Sequence, residues 1–398
     1  MEKIRILPIQ NAAQAAEELK KIDCDPVGIA IMKEKAVFKT IKIEGMQSRA
    51  ANLLKQTCLS KGAEAAVSRF SAGQREESTD VIMMATEKQY RRILPVLKQQ
   101  PWGLARVAAN IEQLLQANGL AMRHYRWKDR ELILDGKKSL VMGILNLTPD
   151  SFSDGGKFNT PETALRQIEQ MQKDGADIID IGAESTRPYN GGQKISAREE
   201  MERLLPMLRL LLPHCSVPVS VDTYKAETAE AAIACGIHIL NDVWGLQYDQ
   251  GEMAAVAAAA EIPVIAMHNK AMGEYPEGIW ADIHQFFSRT LAIGSEKGIK
   301  QENIILDPGI GFAKNLQENL TVLRQLESLQ IYDCPLLLAI SRKRFIGDVL
   351  GLPADDRVEG TISASLLGKM KGVQIHRVHD VKPLKRALEM MDKMMECE

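Results

Sequence analysis

Eight short apolar runs constrain this chain more than any other feature of its sequence. They are LVMGILN (140–146), ADIIDIGAE (176–184), VPVSVDT (217–223), ILNDVWG (239–245), IPVIAMH (262–268), IILDPG (304–309), PLLLAIS (335–341) and GVQIHRVHD (372–380). Runs that are continuously apolar, rather than alternating, suit strands covered on both faces, as in parallel sheets. Helix signals lie between them. Thr160 followed by Pro161 reads as an N-cap with proline at the first helical position, Leu165, Ile168 and Met171 share one face, and Gly175 stops the segment. KAETAEAAIACG repeats the logic and ends at Gly236. Eight strand-then-helix units predict an α/β protein built on a (β/α)8 TIM barrel. An open doubly wound sheet fits the alternation too, but it seldom needs eight strands, and no G-x-G-x-x-G follows the first run.

A chain of 398 residues exceeds one ordinary core. We expect two domains, a small additional α/β domain over 1–135 and the barrel over 136–398. The first mixes the apolar runs VGIAIM and DVIMMAT with amphipathic stretches, a polar loop at SRFSAGQREESTD, a helix near Leu104–Ala117 and a connecting segment around Met122–Lys138. It carries no catalytic constellation. Fifty Lys and Arg against 52 Asp and Glu leave a net charge of -2, which gives no electrostatic reason to expect nucleic acid or an anionic membrane as partner. No run approaches the roughly 18 apolar residues of a membrane span. MEKIRILPIQ has no h-region of signal-peptide length. The six Cys have no C-x-x-C spacing and read as free thiols, so a cytoplasmic location is expected.

Each of the eight runs carries a polar side chain at or near its end: Asn146, Glu184, Asp222, Asn241 with Asp242, His268, Asp307, Ser341, and Arg377 through Asp380. Barrel active sites form where such C-terminal strand ends converge. One Asp there is read equally well as a helix N-cap, but polar ends on all eight runs point to a ligand. Asp222, Asn241 and Asp307 suit a flat heterocycle with adjacent N–H and amino donors, such as a pterin or guanine. Lys343, Arg377 and His379 suit an anion such as pyrophosphate. Asn146 and Asp154 are hard oxygen ligands of the kind that bridge Mg²⁺ to substrate phosphates. His268 reads as a buried, hydrogen-bonded histidine and Met267 as a packing wall.

GILNLTPDSFSDGG, IGAESTRP, SVDTYK, NDV, LDPGIGF, SRKRFIG and RVHDV, in that order along Leu140–Met391, resemble the dihydropteroate synthases. The resemblance implies condensation of para-aminobenzoate with 6-hydroxymethyl-7,8-dihydropterin diphosphate, giving dihydropteroate and pyrophosphate. It places the pterin on Asp222, Asn241, Asp307 and Lys343, with Arg377 flanking the ring. It places the diphosphate on Thr186, Arg377, His379 and, through Mg²⁺, Asn146. Two Gly-containing loops, Leu147–Gly156 and Ser185–Gly192, would bring Asp154 and Arg187 to the reacting centre, with Phe152 and Pro188 walling the aminobenzoate slot. Lys343 and His379 join Asp154 and Arg187 as the expected catalytic set, and a homodimer is expected. Arg344 stands where many members carry Ser, and MHNKAMGEYPEG is a looser form of the usual loop. A methyltetrahydrofolate–corrinoid methyltransferase would share the acidic pterin residues but has no use for STRP, SRKR and RVHD. An inactive pterin-binding paralogue would have no need of the intact loop set.

Overall fold

The computed structural model describes residues 4–7, 9, 11–71, 76–116, 121–147, 160–184, 194–271 and 273–396. Contacts divide the chain into two compact units, Met1–Asn118 and Gly119–Glu398. The division falls earlier than the 135/136 boundary expected from sequence, for a reason that lies in the connecting segment.

In the first unit, strands β1 (Phe38–Gln47), β2 (Glu64–Val67) and β3 (Ser78–Thr86) form an antiparallel sheet in the order β1-β3-β2. Its buried face carries Ile41, Ala65, Val81, Met83 and Ala85 at period two. Helices Ser48–Ser60, Glu87–Leu97 and Leu104–Gln116 cover that face with Leu54, Tyr90, Ile93 and Leu104. The apolar run VGIAIM lies in a helix, Pro26–Met32. Asp25 caps it through the backbone N–H groups of Val27 and Gly28, and proline opens its first turn.

The second unit opens with a hairpin, β4 (Arg123–Arg126) and β5 (Glu131–Leu134), where the sequence reading expected a connector. Tyr125, Leu132 and Leu134 are buried with Leu140, Ile178, Ile305 and Ile375, which lie at the starts of barrel strands. The Tyr125 hydroxyl donates to the Glu302 carbonyl, and Arg130 donates to the Cys215 carbonyl. The hairpin therefore belongs to the barrel unit, whose N-terminal mouth it covers.

The barrel strands are β6 (Leu140–Asn146), β7 (Ile178–Gly182), β8 (Val219–Asp222), β9 (Ile239–Asp242), β10 (Val264–Met267), β11 (Ile304–Asp307), β12 (Leu337–Ala339) and β13 (Ile375–Val378). All pair in parallel, in the order β11-β10-β9-β8-β7-β6-β13-β12, and a parallel bridge from Leu306 to Leu336 closes the ring. Each of the eight expected runs holds one strand. Several strands are shorter than their runs, but Asn146, Asp222, Asn241, Asp307 and Arg377 all stay in the paired ladder. Thr160 caps its helix as expected, with Oγ1 accepting from the Thr163 N–H, and Gly175 follows the helix end at φ +93°. Outward residues such as Ile179, Val221, Leu240 and Ala266 pack under the helices.

The inward residues set the site. Along β7, β9, β11 and β13 the inward pairs read Ile178 then Asp180, Ile239 then Asn241, Ile305 then Asp307, and Ile375 then Arg377. The isoleucines fill the lower interior with Met142, Ile265 and Leu337. One step of two residues along each strand turns the lining polar.

Candidate active site

At the C-terminal end of the strands, one arginine is gripped by two carboxylates. Arg377 donates from Nε to Asp180 Oδ2 at 2.6 Å and from a terminal nitrogen to Asp222 Oδ2 at 2.8 Å. The Asn241 amide donates to the same Asp180 oxygen at 3.1 Å. Asp180 is fully buried, and it orients both the arginine and the amide. Among the described residues, the second oxygens of Asp180 and Asp222 are buried without a partner. A buried carboxylate oxygen left unmatched is costly, so these atoms are poised for donors supplied by something else.

Burial pushes the Asp222 carboxyl above the ordinary carboxylate range, against the pull of Arg377 and with the help of neighbouring Asp180. Burial raises Asp307 as well, while Lys343 opposes it. For Arg377, burial works to lower the value, but the Asp180 and Asp222 carboxylates outweigh it and raise the guanidinium further. Asp307 Oδ1 accepts the Gly309 N–H at 2.8 Å, which fixes the carboxylate on the turn that follows β11. That turn requires glycine, since Gly309 has φ +66° and an added Cβ would lie 1.9 Å from the His268 carbonyl oxygen.

Lys343 donates to the Ile310 carbonyl, and its ammonium lies 4.8 Å from the Phe312 ring centroid. Phe312 packs with Tyr224, Val243, Trp244 and Met267, an apolar wall beside the acidic group, as expected for Met267. Ser341 Oγ meets the backbone N–H and Nδ1 of His379 at 3.1 and 3.0 Å. Next to that pair Arg342 holds Asp380 through two hydrogen bonds of 2.8 and 2.5 Å. The SRK and RVHD segments are thereby tied together, with Arg377 in β13 and His379 just past its end.

Asn146, half-buried at the end of β6, faces Gly182 and Asp222, and the missing side chain of Gly182 leaves the space between them open. Among the described residues no three His, Cys, Asp or Glu side chains cluster as a metal cage. A single neutral oxygen beside a carboxylate fits an ion that keeps most of its shell from water and substrate phosphate, which is how Mg²⁺ is commonly held. Asp242, also at a strand end, turns away from this group and accepts the Trp244 and Leu246 N–H groups, with burial pushing its carboxyl up to about 6. Phe152, Asp154, Thr186, Arg187 and Pro188 lie outside the described residues.

Asp180 and Lys314 belong to the site's framework, and sequence reading passed over both. Asp180 was legible as a charged residue inside an otherwise apolar run. Lys314 follows a motif already marked, but its partners are distant in sequence.

The profile for pterin-binding enzymes matches residues 142–379. A dihydropteroate synthase of Bacillus subtilis is 48% identical over 259 residues, covering 65% of this chain and 90% of its own length. The chain belongs to the dihydropteroate synthase family. A crystal structure of the Clostridium difficile dihydropteroate synthase, obtained in the presence of pteroic acid, superposes with a TM-score of 0.63 at 43% identity, over 66% of this chain and 98% of that one. The Halobacterium salinarum protein named as a bifunctional folylpolyglutamate synthase/dihydropteroate synthase is 36% identical over 380 residues. That match spans 94% of this chain and 45% of the archaeal protein, so it extends well into the N-terminal unit.

Proposed function

We propose that this enzyme joins 6-hydroxymethyl-7,8-dihydropterin diphosphate to para-aminobenzoate, releasing pyrophosphate and forming dihydropteroate, and that the group around Arg377 is its pterin pocket. The observation that carries the reading is the buried Asp222 oxygen beside Arg377, unmatched among the described residues, with Asn241 and Asp307 at the ends of nearby strands. A pterin edge presents adjacent N–H and amino donors, which two carboxylates and an amide can accept. Phe312 and Met267 offer the ring apolar contact, and Lys343 sits at the same wall.

In the reaction the C–O bond between the pterin methylene and the diphosphate breaks, with the electron pair leaving on the diphosphate oxygen. The aniline nitrogen, neutral near pH 7, attacks the methylene carbon and then gives up a proton. The protein's task is to stabilise charge growing on the leaving oxygens and to orient the amine. His379 and Arg377 are the described residues assigned to the diphosphate, together with Thr186. Asp154 and Arg187, with Phe152 and Pro188 along the slot, are assigned to the aminobenzoate end. Mg²⁺ held by Asn146, with Asp154 as a second oxygen, would neutralise part of the leaving group's charge.

The proposed location is the cytoplasm, supported by free thiols at Cys24, Cys58, Cys215, Cys235 and Cys334. No helix among the described residues is long and apolar enough to cross a membrane. A homodimer is proposed as the working assembly, supported by exposed Leu367, Met370, Met390 and Met394 on the last two helices. Two domains, the N-terminal one without an assigned role, complete the reading. Calorimetry tests the pocket: pterin diphosphate with Mg²⁺ binds the protein, and binding that ignored Asp222 and Asp307 would refute the assignment.

A further inference from the structure

The turn after β11 carries two parts of the pocket, the Asp307 carboxylate and the Phe312 ring. Beneath it lies an ammonium group that the chemistry above leaves without a role. Lys314 is 3% exposed, and its Nζ meets the Gly309 carbonyl at 2.9 Å, the Phe312 carbonyl at 3.1 Å and His268 Nδ1 at 2.8 Å. An ammonium has three donors, and here it finds three acceptors without a carboxylate among them. A neutral amine, with two donors, would leave one acceptor unmet and set its lone pair against it. The geometry therefore calls for the charged form, even though burial pulls the group down to about 7.

The charge of Lys314 also fixes its neighbour. With Nδ1 accepting, His268 must carry its proton on Nε2, where it donates to Asp282 Oδ1 at 3.0 Å. Burial holds the ring neutral by lowering it to about 4. The second Asp282 oxygen takes Lys270 Nζ at 2.6 Å. The His268 backbone N–H donates to the Asp307 carbonyl at 2.9 Å, so β10 and β11 are joined on both sides of the turn. The rest of the turn is equally restrained: Asn319 receives the Gly311 N–H at 2.7 Å, and the Tyr275 hydroxyl donates to the Ala313 carbonyl at 2.7 Å.

We propose that Lys314, oriented by neutral His268 and Asp282, is a positioning residue that holds the Asp307–Phe312 turn in its pterin-binding shape. This rests on the pocket assignment given above. Because the Gly309 carbonyl is held by Lys314 while the Gly309 N–H holds the Asp307 carboxylate, loss of the ammonium moves the acceptor and the ring wall together. The effect falls on pterin recognition and not on departure of pyrophosphate, whose groups lie on other strands.

The test is steady-state kinetics of full-length Lys314→Met and Asp282→Asn beside the parent, varying each substrate while the other is saturating. Lys314→Met is expected to raise KM for the pterin diphosphate by at least about thirtyfold. Its kcat and its KM for aminobenzoate should stay within about threefold of the parent. Asp282→Asn, on a more exposed group, is expected to move the same KM by about three- to tenfold in the same direction. A lesion of general stability would lower the amount of folded enzyme and kcat without this split. A folded Lys314→Met with parental pterin KM, or with its loss in kcat alone, overturns the proposal. If Lys314→Met does not fold, a parental pterin KM in Asp282→Asn overturns it instead. Absence of turnover in the parent would overturn the functional reading, which keeps the two failures apart.

Discussion

Replacing Asp222 by Asn should separate stability from binding. In the parent, Oδ2 accepts from Arg377 and Oδ1 is buried and unmatched. The Asn amide must turn its oxygen to Arg377, which puts its NH₂ in the place of the unmatched Oδ1. A pterin donor would then meet another donor. Losing a hydrogen bond to a charged acceptor costs about 1.5–3 kcal/mol, and leaving a buried donor unmet adds about 1–3 kcal/mol. Together these give about 2.5–6 kcal/mol, a fall in affinity on the order of 10² to 10⁴. Stability should respond in the opposite sense. Because burial raises this carboxyl in the folded protein, its favourable contribution is complete below the ordinary carboxyl value near ~4 and is lost as pH climbs through the raised value. Asn never ionises, so the variant should be at least as stable as the parent at pH 8 and gain no advantage at pH 4. Titration calorimetry with the pterin diphosphate reads the affinity, and urea unfolding at the two pH values reads the stability. Parental affinity would refute the pocket, and a variant several kcal/mol less stable at pH 8 would refute the account of Asp222 burial.

Other expectations follow from particular side chains. His376 is fully buried, neither ring nitrogen is hydrogen-bonded to a described residue, and burial lowers it to about 3. Its neutral form favours the fold above the free-histidine value near 6.5, and that contribution is lost as pH falls below it. His376→Leu should therefore cut the stability difference between pH 7 and pH 5 by about 2 kcal/mol, measured by urea unfolding. Gly309→Ala should abolish pterin binding in calorimetry and lower the melting temperature, because the new Cβ meets the His268 carbonyl. A protein beginning at Gly119 should fold and turn over. One beginning at Arg130 should lose about 3–5 kcal/mol of stability, because it lacks buried Tyr125. Aminobenzoate should bind tightly only once pyrophosphate or the pterin diphosphate and Mg²⁺ are present, and tight binding to the metal-free protein alone would contradict that order.

The barrel was legible because parallel strands buried on both faces leave continuous apolar runs, and helix stops such as Gly175 and Gly236 separate them. Asp222, Asn241, Asp307 and Arg377 stood out as polar ends of those runs, and the structure gathers them at one end of the barrel interior. Asp180 did not stand out, because it sits inside its run, and only the inward parity of Ile178 and Asp180 reveals it. The hairpin was missed since Arg123–Arg126 and Glu131 look like a polar linker. Its alternation of Tyr125, Leu132 and Leu134 gains meaning only once the barrel mouth exists to bury them. Lys314 was hidden for another reason: two of its partners are backbone carbonyls, and the third, His268, is 46 residues away. VGIAIM was ambiguous, as short apolar runs are, and the Asp25-Pro26 cap decided for helix.

The most direct measurement of the central claim is a single-turnover reaction of the purified protein with pterin diphosphate, para-aminobenzoate and Mg²⁺, following both products. Dihydropteroate and pyrophosphate should appear in equal amounts at one rate, and a sulfonamide should slow that rate in competition with aminobenzoate. A folded protein that binds the pterin diphosphate yet forms no dihydropteroate would contradict the account.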